Sequence, residues 1–338
     1  MKMKSAGLVC AMIFLCAMGC ANKSEVIVYT ALDQEFSEPI FQAFEKATGI
    51  RVLAKYDTES TKTVGLVNTI IAEGGNPRCD VFWNNEIVNT IRLKDRNLLQ
   101  PCSPDNAGYY PAEFRDPDGT WYGFAARARV LIVNTNLVSG SAIPNSIFAL
   151  TEPALKGKVG IAKPLFGTTA TQMACLFAVF GPEKVKSWLM DLKANGVAVE
   201  SGNKMCAVDV AQGNIVAALT DTDDAIGELR NGAPVKIVFP DSQENGVGTL
   251  LIPNTLSLVK DCPHPQEGMR LINYLLSPEV EETLASGDSA QIPLNSRSSA
   301  SAHPLAPLPK FWMKVDFGAA AKQFESAAQW IQETFMAP

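Results

Sequence analysis

Histidine is scarce: His264 and His303 are the only two in 338 residues, and each stands beside prolines in an apparent loop. A His-based catalytic pair and a His-rich metal site are therefore poorly supported. Basic charge is scarce as well. Lys and Arg number 29 against 35 Asp and Glu, a formal net charge of -6, and no basic run appears anywhere, so the electrostatic footprint of a nucleic-acid binder is missing. No G-x-S-x-G elbow and no H-E-x-x-H helix occurs, which disfavours a secreted hydrolase and leaves only paired acids such as Asp33 and Asp223 as a basis for one. No internal repeat is visible. Beyond the first twenty residues there is no run of eighteen uncharged apolar residues, so the mature body is expected to be soluble.

What is present begins with an export signal. Lys2 and Lys4 form a positive start, Ala6 to Met18 is almost unbroken apolar sequence, and Gly19-Cys20 follows. Gly19-Cys20 resembles a lipoprotein signal, in which Cys20 is lipidated and becomes the mature N-terminus, although Ala17 stands where Leu is usual. Residues 1–19 are then a signal peptide and 20–25 an anchored linker. Of the eight cysteines, Cys79, Cys102, Cys175, Cys206 and Cys262 remain in the body. Their spacing matches no metal motif, and most read as small buried apolar residues, with Cys79–Cys102 or Cys175–Cys206 as candidate bridges.

A hydrophobic fraction of 47% over this length is enough to bury two cores. Val26 to Thr30 is a β-rich run, Ser37-Glu38-Pro39 opens a helix with Ile40, Phe41, Phe44 and Ala47 on one face, and Arg51 to Tyr56 follows as a second strand. Strands and helices continue to alternate, which implies α/β architecture. Two long apolar stretches, Tyr122 to Val133 and Gly248 to Val259, flank a second α/β set and are suited to crossing between two lobes. The division expected is lobe 1 at 26–126 and 250–295, with lobe 2 at 127–249 and 296–338. Phe317, Phe324, Ile331 and Phe335 mark a last amphipathic helix.

Several motifs stand in order along this plan: Val28-Tyr29 leading to Ala47-Thr48-Gly49-Ile50, Asp80-Val81-Phe82-Trp83, Arg127-Ala128-Arg129-Val130, Phe166-Gly167-Thr168-Thr169, Gly213 through Thr220, Gly248-Thr249-Leu250 and Ile292-Pro293-Leu294-Asn295. Together they resemble the periplasmic ferric-ion-binding proteins of ABC importers, within a wider group that includes hexose-phosphate and phosphonate binders. The resemblance implies a two-lobed periplasmic-binding-protein fold, each lobe a mixed sheet flanked by helices and joined by two crossing strands. It also implies a permease partner and a cargo in the cleft, rather than a resident cofactor. At the family's metal-ligand positions this chain has Asp33, Asn85 or Glu86, and Asp223 with Asp224. The family's adjacent tyrosine pair is absent, and its replacement by carboxylates puts iron specificity in question.

Thr220-Asp221-Thr222-Asp223-Asp224 places three carboxylates between a strand end and a helix, where such sheets bind ligands. Capping of the helix is the plainer reading, but one cap needs one oxygen. Gly167, Thr168 and Thr169 resemble the family's anion-binding turn at a helix start. Arg127 and Arg129 share a strand face in apolar surroundings and need acidic partners or an anionic ligand. Trp83, Asn85 and Glu86 follow the strand that ends at the cleft, with core packing the alternative for Trp83. Asn203, Thr249, Asn254 and Thr255 complete the candidates. The expected ligand is a hard cation on Asp33, Glu86, Asp223 and Asp224, ferric ion with an accompanying anion in the family, or else an anionic polyol such as a sugar phosphate or phosphonate. A secreted hydrolase and a sensor subunit that reuses the fold remain as rivals. The chain is expected to act as a monomer.

Overall fold

The computed structural model describes residues 24–57 and 63–337. The signal peptide, Cys20 and Lys62, where the sequence predicts that a helix running to about Glu73 begins, lie outside the described residues. No described helix is long and apolar enough to cross a membrane.

The first half of the chain forms β1 (Glu25–Thr30), α1 (Gln34–Thr48), β2 (Arg51–Tyr56), α2 (Val64–Glu73), β3 (Val81–Asn84), α3 (Val88–Asp95), β4 (Leu99–Gln100), β5 (Tyr122–Asn134), β6 (Val159–Ala162) and α4 (Gly167–Phe180). The second half forms α5 (Pro182–Ala194), β7 (Ala198–Glu200), α6 (Asn203–Ala211), β8 (Ala217–Asp221), α7 (Thr222–Arg230), β9 (Val235–Val238), β10 (Leu251–Val259), α8 (Pro265–Leu275), α9 (Pro278–Ser286) and α10 (Phe317–Trp330). The expected alternation is recovered with shifts at element ends. Helix α1 starts at Gln34, so Pro39 lies inside it and costs one backbone bond near the helix start rather than opening the helix. Ala47 faces solvent, while Ser37, Ile40, Phe41 and Phe44 make the buried face.

The strands run in the order β2-β1-β3-β10-β5-β8-β6-β7, with β4 on β10 and β9 on β5. Parallel β1–β2 and β1–β3 pairs follow from the helical crossovers, whereas β10 runs antiparallel to both β3 and β5. Strand β5 belongs to both parts of the sheet. Its first residues pair with β10 as far as Ala128 with Leu251, and from Arg129 onward it pairs with β8 and β9. The second crossing enters β10 through Gly248 to Leu250, tied to the first by Arg129 N–H donating to the Leu250 carbonyl at 2.9 Å. At Gly248 φ is +88° and an added Cβ would fall 2.3 Å from the Trp312 carbonyl carbon, because Thr249 bridges Trp312 there.

One apolar core gathers Val28, Phe44, Val81, Phe82, Trp83 and Leu271. The other gathers Val130 to Val133, Ile161, Leu176, Leu219 and Phe324. Helix α10 packs along α4 and also along α3. Near the crossing, β5 carries Ala125 at φ +42°, where the register with β10 shifts between Pro253 and Asn254. The irregularity is held by Glu281 of α9, which accepts from Ala125 N–H at 2.6 Å, Leu294 N–H at 3.0 Å and Asn295 N–H at 2.7 Å. All five body cysteines are buried and unbridged, so neither candidate disulfide forms. Burial pushes the Cys102 and Cys262 thiols up to about 12, as expected of packing residues rather than reactive ones.

Candidate functional site

Four helices begin at one cavity of about 640 Å³. It is lined by Asp33, Gln34 and Glu35 at the start of α1, Gly167 to Thr169 of α4, Gly202 to Met205 at α6, and Asp221, Asp223 and Asp224 at α7. At none of these four N-termini does the N-cap side chain accept a hydrogen bond from the helix. The first-turn N–H groups and positive dipole ends of α4 and α6 therefore face the cavity without that neutralisation. Gly167 opens α4 at φ +54°, a backbone geometry that favours glycine.

Beneath the cavity floor Arg129 is fully buried. It sits opposite Asp221 in the β5–β8 register, and its Nη1 donates to Asp221 Oδ1 at 2.8 Å. The same guanidinium donates to Gln172 Oε1 at 2.8 Å, Asn203 Oδ1 at 3.0 Å, and Thr168 and Thr169 Oγ1 at 3.2 Å each. Thr168 Oγ1 donates to Asp221 Oδ2 at 2.5 Å. Burial alone would raise the Asp221 pKa, but Arg129, then Arg127 and the Thr168 bond, hold it below the ordinary range. One buried arginine thus fixes the starts of α4, α6 and α7 relative to one another.

Arg127, one step nearer the solute space, spans the two halves. Its Nη2 donates to the Asn85 carbonyl at 2.7 Å and its Nη1 to Asp223 Oδ2 at 3.3 Å. Its side chain is 4% exposed, and its buried Nε has no hydrogen-bond partner among the described residues. Beside it, ligand oxygens of Asp221, Asp223 and Asp224 lie within 4.8 Å of one another. Neither tyrosine, histidine nor cysteine lines the cavity among the described residues.

Of the residues singled out from sequence, Asp33, Asn85, Arg127, Gly167, Thr168, Thr169, Asn203, Asp223 and Asp224 come together here. Trp83, Glu86, Arg129 and Thr249 do not line the cavity. Trp83 is a core side chain, with ring centroids 5.7 Å from Phe41 and 5.4 Å from Phe124. Glu86 is fully buried, accepting from Thr171 Oγ1 at 2.5 Å, Asn84 Nδ2 at 2.6 Å and Asn89 N–H at 3.1 Å. Burial raises its pKa despite these donors, and the side chain links the β3–α3 turn to α4. Thr249 Oγ1 donates to the Pro240 carbonyl, Asn254 secures Ala125 and Gln291, and Thr255 donates to the Glu86 carbonyl. In the sequence Asp221 stands out only as part of its acidic run. Its cue was strand parity with Leu219 and the need of Arg129 for an anion. Lys163, Phe166, Lys204, Met205 and Val208 also line the cavity; of these only Phe166 belongs to a motif, as the residue before Gly167, and no local motif marks the other four.

The fold is that of the two-lobed periplasmic binding proteins, with the cavity fed by residues of both halves. The chain belongs to the bacterial extracellular solute-binding protein family, which matches residues 40–313. The major ferric iron-binding protein of Neisseria meningitidis is 25% identical over 295 residues, covering 84% of this chain and 86% of its own. Iron-bound HitA from Pseudomonas aeruginosa superposes with a TM-score of 0.80 at 24% identity, covering 90% of this chain and 98% of that one. The binding protein AfuA from Actinobacillus pleuropneumoniae, with fructose-6-phosphate bound, gives 0.80 at 22%, covering 93% and 100%.

Proposed function

We propose that the chain is the solute receptor of an ABC importer, exported, held at the membrane by a lipid on Cys20, and acting as a monomer that binds without turnover. Its signal peptide is 1–19 and its linker 20–25, and its lobes divide at 26–126 with 250–295 and at 127–249 with 296–338. The cargo is a hard cation, ferric ion with an accompanying anion, taken up in the interlobe cavity. The observation that carries this reading is the clustering of Asp221, Asp223 and Asp224 beside helix N-termini, which sets cation ligands next to an anion site. Asp221 and Asp223 are each paired with an arginine, so a cation must compete with Arg127 for Asp223. A second reading, an anionic polyol such as a sugar phosphate or phosphonate, is favoured by the Arg127 Nε that no described residue satisfies.

Calorimetry divides the two. Asp223→Asn keeps the side-chain size and removes the charge, so ferric citrate affinity should fall about tenfold or more, because a cation depends directly on that charge. Glucose 6-phosphate affinity should hold or rise, since Arg127 is released from its partner. The ferric complex should lack the visible tyrosinate-to-iron charge-transfer band, since no tyrosine lines the cavity among the described residues. If the wild-type protein binds neither titrant, both cargo readings fail. For the anchor, Cys20→Ala should move the protein from the membrane fraction to the soluble one. Wild-type protein found already soluble in cells would rule the lipid out.

A further inference from the structure

The cavity holds more than its charged floor. Ala162, Phe166, Met205 and Val208 line it together with Arg127 and Asp223. Met205 is 43% exposed, one of few large apolar side chains left facing solvent. It is not on a loose loop. It stands in the first turn of α6, two residues after Asn203, which is locked into the Arg129 network through bonds to Thr168 at 2.9 Å and Asp221 at 3.0 Å. Phe166 immediately precedes Gly167 at the start of α4, with Lys163 Nζ 5.5 Å from its ring centroid. The apolar wall is thus held in a fixed relation to the polar floor.

Size points the same way. At about 640 Å³ the cavity falls within the range of roughly 300–1,000 Å³ typical of pockets for small organic ligands. An apolar wall contributes nothing to holding a hydrated ion, whereas it favours any hydrocarbon it removes from water. We infer that Phe166, Met205 and Val208 form a subsite for the hydrocarbon body of an organic oxyanion whose oxygen end lies beside Arg127 and the start of α4. Two sources share that chemistry: an organic anion alone, and one that arrives bound to ferric ion. The inference rests on the solute-receptor reading and narrows its cargo. Thioether flexibility at Met205 suits a wall that accepts bodies of differing shape.

Methylphosphonate and phenylphosphonate carry the same oxyanion and differ in hydrocarbon. Each is titrated into the intact protein by calorimetry, alone and with equimolar ferric ion kept soluble as its nitrilotriacetate. Phenylphosphonate should bind about tenfold more tightly, as expected for a partly buried ring. Preference in the metal-free arm identifies a free organic anion, and preference only with iron identifies a chelate. Met205→Ser and Val208→Thr should each pull the ratio of the two affinities toward one. Equal affinities in both arms for the wild-type protein would overturn the subsite while leaving the receptor reading in place. Binding of neither probe in either arm would overturn the subsite and the oxyanion end of the receptor reading together.

Discussion

Replacing Arg129 with leucine should destabilise the protein by about 3–5 kcal/mol and abolish solute binding, because it leaves Asp221 buried without its cation. The side chain makes hydrogen bonds to Asp221, Gln172, Asn203, Thr168 and Thr169. Adding Asp221→Asn to the variant removes the orphaned charge and should recover part of the loss. The pH dependence has a definite sign. Asp221 has a folded pKa below its unfolded one, so its contribution is present above the unfolded value and is lost as pH falls through the folded value. The penalty of Arg129→Leu should therefore be largest at neutral pH and shrink in acid, where Asp221 can be protonated. Urea denaturation of the wild type, the single variant and the double variant at both pH values measures this. An unchanged penalty in acid would contradict the assignment.

Glu281→Ala should cost about 3–5 kcal/mol as well, by a different route: three backbone N–H groups lose their acceptor in a buried place. One of them belongs to Ala125, whose positive φ is already unfavourable for a non-glycine residue. Burial, the largest influence, lifts the Glu281 pKa above its ordinary value even against these donors. Its contribution is then fully present below the unfolded pKa and declines as pH rises through the folded one. The cost of Glu281→Ala should accordingly be greater in mild acid than at neutral pH, the opposite trend to Arg129→Leu. Thermal unfolding across that range separates the two, and parallel trends would sink the explanation for Glu281.

Local sequence carried much of this organisation. Runs such as Val26 to Thr30 and Arg51 to Tyr56 announced strands through β-branched and aromatic content, and both match the observed ladders. Acidic and hydroxyl residues at strand ends pointed to the cavity because, in α/β sheets, helix starts and strand ends converge there. What periodicity does not encode is which of several neighbouring polar groups meets a distant partner. Asp221 and Asp223 differ by two positions, yet one pairs with Arg129 under the floor and the other with Arg127 at the surface of the cavity. Glu86 follows its strand just as Asn85 does, but the turn aims Asn85 at the solute space and buries Glu86 against Thr171. Trp83 was equally suited to stacking or packing until Phe41 and Phe124 closed around it. Met205 carries no local signal, and Phe166 enters only as the first residue of the Phe166-Gly167-Thr168-Thr169 motif, since their place in the wall depends on a cavity assembled from separate helices.

The place of β10 in the sheet also governs when the protein can finish folding. Asn84 of β3 pairs with Thr255 of β10, so that part of the sheet lacks its central antiparallel strand until Leu251–Val259 is available. By contrast, β6, β7, β8 and the helices between them are contiguous in sequence and can assemble among themselves. The intervening segment is therefore the natural early folding unit, and docking of β10 between β3 and β5 is the late, slow step that high contact order imposes. A chain supplied N-terminus first therefore cannot complete that part of the sheet before β10 has followed β1 to β9.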